Sequence, residues 1–478
     1  MSVKRNFIYN SIITVSSYIF PLLTYPYVSR VLGVSNIGIC NFVDSIINYF
    51  VLFSMLGISS VGIREIAKNK SDRHTLSKTF CSLLSLNFIS TAIATVTLIA
   101  CIYTIPTMYE YHELMFVGVC KLIFNLFLVE WLYVGLEDFQ YITKRTILVK
   151  LLYIASIFVF IHKPSDYPWY YILTVSSVCI NAVINIFHSR HFITFSIRDI
   201  NVRPYVNTFV IMGIYLLVTN IYSSLTAAWL GFLTNTVEVG YYTTSTKLHM
   251  IILALFSAFS NVLLPRVSSL ISENKKDEYW HKIDQAVEAL LLFSFPVTIL
   301  SCIYSSNLIH LLAGDGYEGA YLPFSIIAPL IMVIGYEQIV VLQILLANKQ
   351  EKIMLRNSII GSLVAIACNL LFVQKLGAVG SAMVWLMSEL TILTISLNDV
   401  RRIYCYRFPL GLFLKYSIAY IPLVLVLYIL HDSILLKDVF ALIVAVAVTG
   451  IFTLVVQKYY LKNTILFDII NKFARIRQ

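Results

Sequence analysis

Runs of about 20 apolar residues recur along the whole of this chain, and each is long enough to cross the hydrocarbon core of a bilayer as a helix. Fourteen stretches read this way, at 8–30, 39–61, 79–102, 114–135, 147–162, 169–188, 207–228, 242–264, 286–305, 323–346, 357–373, 378–397, 416–430 and 439–456. Of the 478 residues 59% are hydrophobic and 13% charged, against nearer half and a quarter in a soluble protein. The expected fold class is therefore an all-α polytopic membrane protein of about 14 transmembrane helices. Its 31 Tyr and five Trp suit a chain that meets the membrane–water interface many times.

An even number of spans puts both termini on one side. With that side cytoplasmic, the inner segments hold 28 of the 35 Lys and Arg and the outer segments five, with Lys121 and Lys150 inside spans. The outer segments carry Glu110, Glu113, Asp166, Glu238, Asp315, Glu318, Asp432 and Asp438 instead. This is the positive-inside pattern, and it accounts for the net charge of +10 without nucleic acid. The expected location is a membrane, crossed many times, with the N and C termini cytoplasmic. The apolar run after Arg5 is too long for a cleaved leader and lacks a small-x-small site, so the first span is expected to stay.

Several chemistries are excluded. There is no phosphate-loop motif, no H-E-x-x-H and no C-x-x-C among the eight cysteines, so neither cofactor nor metal site is expected. No connecting segment is long enough to form a soluble catalytic domain.

An internal echo suggests how the spans are grouped. Leu32-Gly33 followed by Gly38 recurs as Leu230-Gly231 followed by Gly240, and Arg64 recurs as Arg266. The Gly38–Gly240 and Arg64–Arg266 offsets are both 202 residues. A third Leu-Gly, Leu376-Gly377 followed by Gly380, shows that this turn arises easily. Six spans separate the first two copies, so a repeat would relate two bundles by an axis along the membrane normal. The expected organisation is a six-helix bundle over 1–205, a second over 206–400, and two extra helices with a basic cytoplasmic tail over 401–478. A polar cleft is expected between the bundles.

Residues Tyr25-Pro26-Tyr27-Val28-Ser29-Arg30-Val31-Leu32-Gly33 with Gly38, Gly62-Ile63-Arg64-Glu65, and Leu230-Gly231 followed by Glu238-Val239-Gly240-Tyr241-Tyr242 and Lys247-Leu248 carry a family resemblance. The chain resembles the bacterial O-antigen and capsule-repeat flippases of the multidrug/oligosaccharidyl-lipid/polysaccharide exporter superfamily. The resemblance implies transport of an undecaprenyl-diphosphate-linked oligosaccharide from the inner to the outer leaflet by alternating access, without ATP. It implies a lipid-linked oligosaccharide substrate, with polysaccharide polymerase and chain-length machinery as partners. Relatives often carry an acidic residue five positions before the second Leu-Gly glycine; here that position is Thr226, so that carboxylate's role does not carry over.

Ionisable groups inside spans cost a few kcal/mol on insertion scales and are functional candidates by default. Arg30 and Lys247, near the outer ends of their spans, either snorkel to the interface or present charge to a diphosphate. Asp44 lies at a depth similar to that of Lys247, and the two would pair as an outer gate. Lys121 and Asn125 share one helix face and would line a cavity, with His249 a weaker candidate on its own span. Glu130 and Lys150 read as a structural ion pair. Glu337 and Glu389, near mid-depth of spans ten and twelve, serve either ion coupling or an interhelical hydrogen bond. Pro21 and Pro26 interrupt the first span and would provide a hinge.

Three rival readings differ in cargo or chemistry. A multidrug or cation antiporter of the same superfamily would need a compact acidic cavity. A peptidoglycan-precursor flippase would use the same lipid carrier with another head group. A membrane polymerase or ligase would need an external catalytic loop, and the segment 306–322 offers Asp315 and Glu318 but no Arg or Lys.

Overall fold

The computed structural model describes residues 3–196, 200–224, 226–433, 438–461 and 463. The expected basic tail, with Lys462, Lys472, Arg475 and Arg477, lies outside them. The described residues form helices and no strand. They fall into two compact units, Met1–Gly240 and Tyr241–Gln478.

Unit one begins with α1 (Val3–Met55), α2 (Ile58–Asn69) and α3 (Arg73–Thr104), followed by the short α4 (Pro106–Glu110). It continues with α5 (His112–Asn125), α6 (Glu130–Gly135), α7 (Phe139–Phe160) and α8 (Tyr167–Ser189). The last elements are α9 (Arg203–Ser224), α10 (Thr226–Leu233) and the start of α11 (Thr236–Ser272), which runs on into unit two. There follow α12 (Lys276–Ile303), α13 (Ser305–Ala313), α14 (Tyr321–Ile327), α15 (Leu330–Glu337), a π-helical segment Gln338–Leu346 and α16 (Glu351–Cys368). After a second π segment, Asn369–Val373, come α17 (Gln374–Tyr404), α18 (Leu410–Ser433) and α19 (Asp438–Val455).

Nine helical runs among the described residues are long and apolar enough to cross a membrane. Two of them, Ile12–Asn69 with 58 residues and Glu351–Tyr404 with 54, would extend about 80 Å at 1.5 Å per residue, more than twice a bilayer core. Each bends at a Leu-Gly pair. Gly33 has φ 75° and ψ 166°, and Gly377 has φ 56° and ψ −131°, regions that a side chain makes costly. The fifth, seventh and eighth expected stretches fall on α7, α9 and α11. The two C-terminal stretches are both helices of spanning length, Leu410–Asp432 and Val439–Leu461.

The echo glycines have a packing reason. A Cβ on Gly38 would fall 1.7 Å from the Thr236 carbonyl oxygen, and one on Gly240 2.4 Å from that of Val34. The two glycines lie on either side of one backbone approach, between α1 and the start of α11.

Polar side chains close the helix ends. Asp72 caps α3, accepting from the backbone N–H of His74 and Thr75, and Asp138 caps α7 through Tyr141 N–H. The Asp72 carboxyl is held below the usual carboxylate range, first by the Thr75 hydroxyl and then by the Thr75 and His74 amides. Asp166 likewise accepts from His162 and Lys163 backbone N–H at 3.0 Å, which lowers its pKa.

In unit one Ile58, Val61, Phe80, Leu83, Trp131, Leu132, Ile142 and Phe209 form a buried cluster, with Trp131 stacked on Phe80 at 5.2 Å. In unit two α18 and α19 share the core of α12 and the first π segment: Tyr416, Tyr420, Leu427 and Ala445 pack with Ile283, Leu290, Phe295 and Ile344. Large apolar side chains stand exposed along α3, α18 and α19, among them Ile93, Val96, Ile418, Leu425, Ile443 and Ile451. Helices clothed this way belong in lipid, where exposed apolar surface carries no penalty.

Candidate functional site

Each unit holds a polar constellation inside its spanning helices. In unit one it is built where α5 crosses α1. Gly118 makes the crossing close, because a Cβ there would lie 2.4 Å from Ile47 and 3.0 Å from the hydroxyl of Tyr171 on α8. Lys121, one turn further along α5, then reaches α1. Its Nζ donates to Asp44 Oδ1 at 2.6 Å and to Asn48 Oδ1 at 2.8 Å. Asn48 Nδ2 returns a bond to Asp44 Oδ2 at 2.9 Å. The Lys121 side chain is 13% exposed and that of Asp44 27%, so the pair is shielded more than a surface ion pair. Asp44 thus has an ion-pair partner within unit one. Asn48 escaped the sequence reading, although its i, i+4 spacing from Asp44 marks a shared face.

Asn125, on the same face one turn beyond Lys121, ends α5, and its Nδ2 is buried without a protein partner among the described residues. The helix breaks there, and Val129 takes φ 38°, an unusual conformation for a β-branched residue. Asn185 of α8 donates to the Leu128 carbonyl and accepts from the Tyr141 hydroxyl at 3.0 Å, satisfying the break. Glu130, the first residue of α6, pairs with Arg145 at 2.9 Å, and not with Lys150 as expected. Arg145 lies five residues, about 7.5 Å, nearer the start of α7 and on another face; it also donates to Asn181 at 2.9 Å. Lys150 turns toward α1, with Nζ 3.1 Å from Ser17 Oγ and 5.5 Å from the Phe20 ring centroid.

Arg30 is exposed, and its Nη1 donates to the Pro26 carbonyl at 2.8 Å. The surrounding stretch of α1 is tied to the α7–α8 turn, by the Tyr27 hydroxyl on the Ile161 carbonyl at 2.6 Å and Asn36 Nδ2 on the Pro164 carbonyl at 3.0 Å. Within α1 the non-helical dihedrals fall at Gly33, while Pro21 and Pro26 keep helical ones. Thr226, at the position where relatives often carry an acid, is buried.

The constellation of unit two joins α15, α17 and α11. Glu337 ends α15 where the π segment begins, a local widening often found at functional positions. Its carboxyl faces that of Glu389 on α17. Glu389 also accepts from Trp385 Nε1 at 3.0 Å, while Glu337 Oε2 is buried without a hydrogen-bond partner among the described residues. Trp385 meets the His249 ring edge-on, with centroids 5.1 Å apart. His249 is fully buried, and neither ring nitrogen has a partner among the described residues. Beside Glu337, Gln338 Nε2 donates to Ser257 Oγ at 2.9 Å, and its Oε1 has no partner among the described residues. Trp385 and Gln338 were not picked out from sequence. Trp385 was detectable, four residues before Glu389. Lys247 is half-buried on α11.

The comparisons agree with this fold. A relative in Escherichia coli (strain K12), named "Putative O-antigen transporter", is 23% identical over 406 residues, covering 84% of this chain and 97% of the relative. Among solved structures the lipid II flippase MurJ, in an inward closed conformation, matches with a TM-score of 0.80 at 15% identity, over 96% of this chain and all of that one. A multidrug resistance MATE family transporter of the MOP superfamily, outward-facing, matches with a TM-score of 0.57 at 14% identity, over 82% of this chain and 93% of that one. The polysaccharide biosynthesis protein family model matches residues 3–271, more than half of the chain. This multi-pass membrane protein therefore belongs to the polysaccharide biosynthesis protein family, within the fold of the MOP superfamily.

Proposed function

We propose that the chain is a flippase carrying undecaprenyl-diphosphate-linked oligosaccharide repeat units from the inner to the outer leaflet of a bacterial cytoplasmic membrane. The product feeds O-antigen, capsule or another surface polysaccharide, with polymerase and chain-length machinery downstream and both termini cytoplasmic. The reading is carried by one observation: a member of a polysaccharide biosynthesis family keeps hydrogen-bonded ionisable groups inside spanning helices of both its units. Sugar hydroxyls and a diphosphate need such groups in place of water, since hydrocarbon offers them no partners.

In this reading the chain works as two six-helix bundles, 1–205 and 206–400, with 401–478 added. Arg30 and Lys247 draw the diphosphate, while Asp44, Lys121, Asn125 and His249 contact the polar head. Glu337 and Glu389 couple an ion gradient to transport, and the stretch of α1 from Pro21 through Pro26 to Gly33 gives way as access alternates. The cycle needs two states that differ in affinity for the head group; an ion exchanged at the carboxyl pair supplies that difference.

The test is a gene-deletion strain assayed for lipid-linked repeat units. Accumulation on the cytoplasmic leaflet, loss of surface glycan and unchanged drug susceptibility are expected. Normal outer-leaflet delivery would overturn the reading. Arg30→Ala and Lys247→Ala should each impair complementation while membrane abundance stays unchanged; lost abundance would make these residues structural.

A further inference from the structure

A cavity of about 340 Å³ opens at the start of α3, sharing no residue with either constellation, lined by Arg73, His74, Ser77 and Lys78 of α3 and by Thr194 and Ser196 of the segment after α8. Its second wall is firmly built. Thr194 N–H donates to Ser77 Oγ at 2.9 Å and Asn201 N–H to Ser82 Oγ at 3.0 Å. Next to Thr194, Ile193 is buried and Phe195 sits edge-on against Phe80 at 5.8 Å. Among the described residues the lining is basic and hydroxylic, with no carboxylate. Asp72, next to it in sequence, turns its oxygens into the first turn of α3. Among the described residues neither Arg73 nor Lys78 is in an ion pair, whereas Arg64, Lys68 and Lys70 nearby all are.

Above the cavity the same side of α3 becomes apolar and exposed. Ile89 and Val96, 52% and 69% exposed, lie within about 20° of Lys78 around the helix at 100° per residue. Ile89 is about 16 Å further along the axis. Two cations and hydroxyls at the water end of an apolar helix face are complementary to one kind of molecule, an anionic head with acyl chains.

We propose that this cavity binds the phosphodiester headgroup of an anionic phospholipid, with Arg73 and Lys78 on the phosphate and the acyl chains along α3. The occupant is a resident lipid and not the cargo, so the site goes beyond the flippase reading. Its test requires no transport.

The purified full-length protein in detergent is titrated with phosphatidylglycerol, with phosphatidylcholine and with inorganic phosphate, and its thermal unfolding midpoint is followed. Phosphatidylglycerol is expected to raise the midpoint saturably while the other two do not. Arg73→Gln with Lys78→Gln should weaken the apparent affinity roughly tenfold or more, Lys78→Gln alone should weaken it less, and Lys68→Gln, outside the cavity, should leave it unchanged. An equal shift with phosphatidylcholine, an equal shift with phosphate, or a full phosphatidylglycerol response in both cavity variants would overturn the proposal. Failure of the flippase reading in the deletion strain would leave these binding results untouched.

Discussion

At the scale of single residues, the two constellations differ in how well their polar groups are satisfied. Lys121, Asp44 and Asn48 close a triangle of hydrogen bonds, so removing one member strands the others. Asp44→Asn or Lys121→Met alone should each cost about 2 kcal/mol, between an exposed pair and a fully buried one. The double variant should recover part of that loss. A double-mutant cycle by denaturant unfolding in detergent reads the coupling, and strictly additive losses would show that the pair contributes nothing. His249 is the opposite case, a buried ring whose two nitrogens lack partners. Burying an unsatisfied polar group is costly, so His249→Phe should raise stability by about 1 kcal/mol while slowing transport. A variant that is more stable and equally active would remove His249 from the mechanism.

At the scale of elements, glycines decide what the helices can do, in two different ways. Gly33 has nothing within 4 Å of an added Cβ, so Gly33→Ala acts through the backbone alone and should cost about 1–3 kcal/mol. Gly38→Ala places its methyl 1.7 Å from a backbone oxygen, and no rotamer change relieves that. Fluorescence-detected size exclusion should therefore find Gly33→Ala folded but destabilised and Gly38→Ala depleted; the reverse order would contradict this account of the α1 packing. The Leu-Gly echo was visible in the sequence as a spacing, and its glycines do mark bends or close approaches. That Gly38 and Gly240 face each other was not visible, because a spacing of 202 residues says nothing about which segments touch. The partner of Glu130 was misread for a related reason. Depth along a helix can be counted from sequence, but the break at 126–129 that sets the direction of Glu130 depends on Asn185, which lies on another helix.

At the scale of the whole molecule, the all-helical, membrane-spanning character was legible because bilayer thickness dictates the length and apolarity of each span. The partners inside were less so. Between helices in lipid there is no hydrophobic force to select contacts, and close packing and hydrogen bonds do that work; both depend on tertiary detail such as the missing side chain of Gly118. Orientation is a different kind of property, summed over all the connecting segments, and the sequence speaks to it strongly. The turn at Ser71 lies in a segment with five cations between Arg64 and Lys78, and the turn at Ser165 lies beside Asp166. Both serines are exposed. In a variant whose native cysteines are replaced by Ser or Ala, Ser165→Cys should react with a membrane-impermeant maleimide on intact spheroplasts. Ser71→Cys should react only after the membrane is opened. Labelling in the reverse order would invert the whole chain, placing both termini outside and turning the proposed direction of lipid entry around with them.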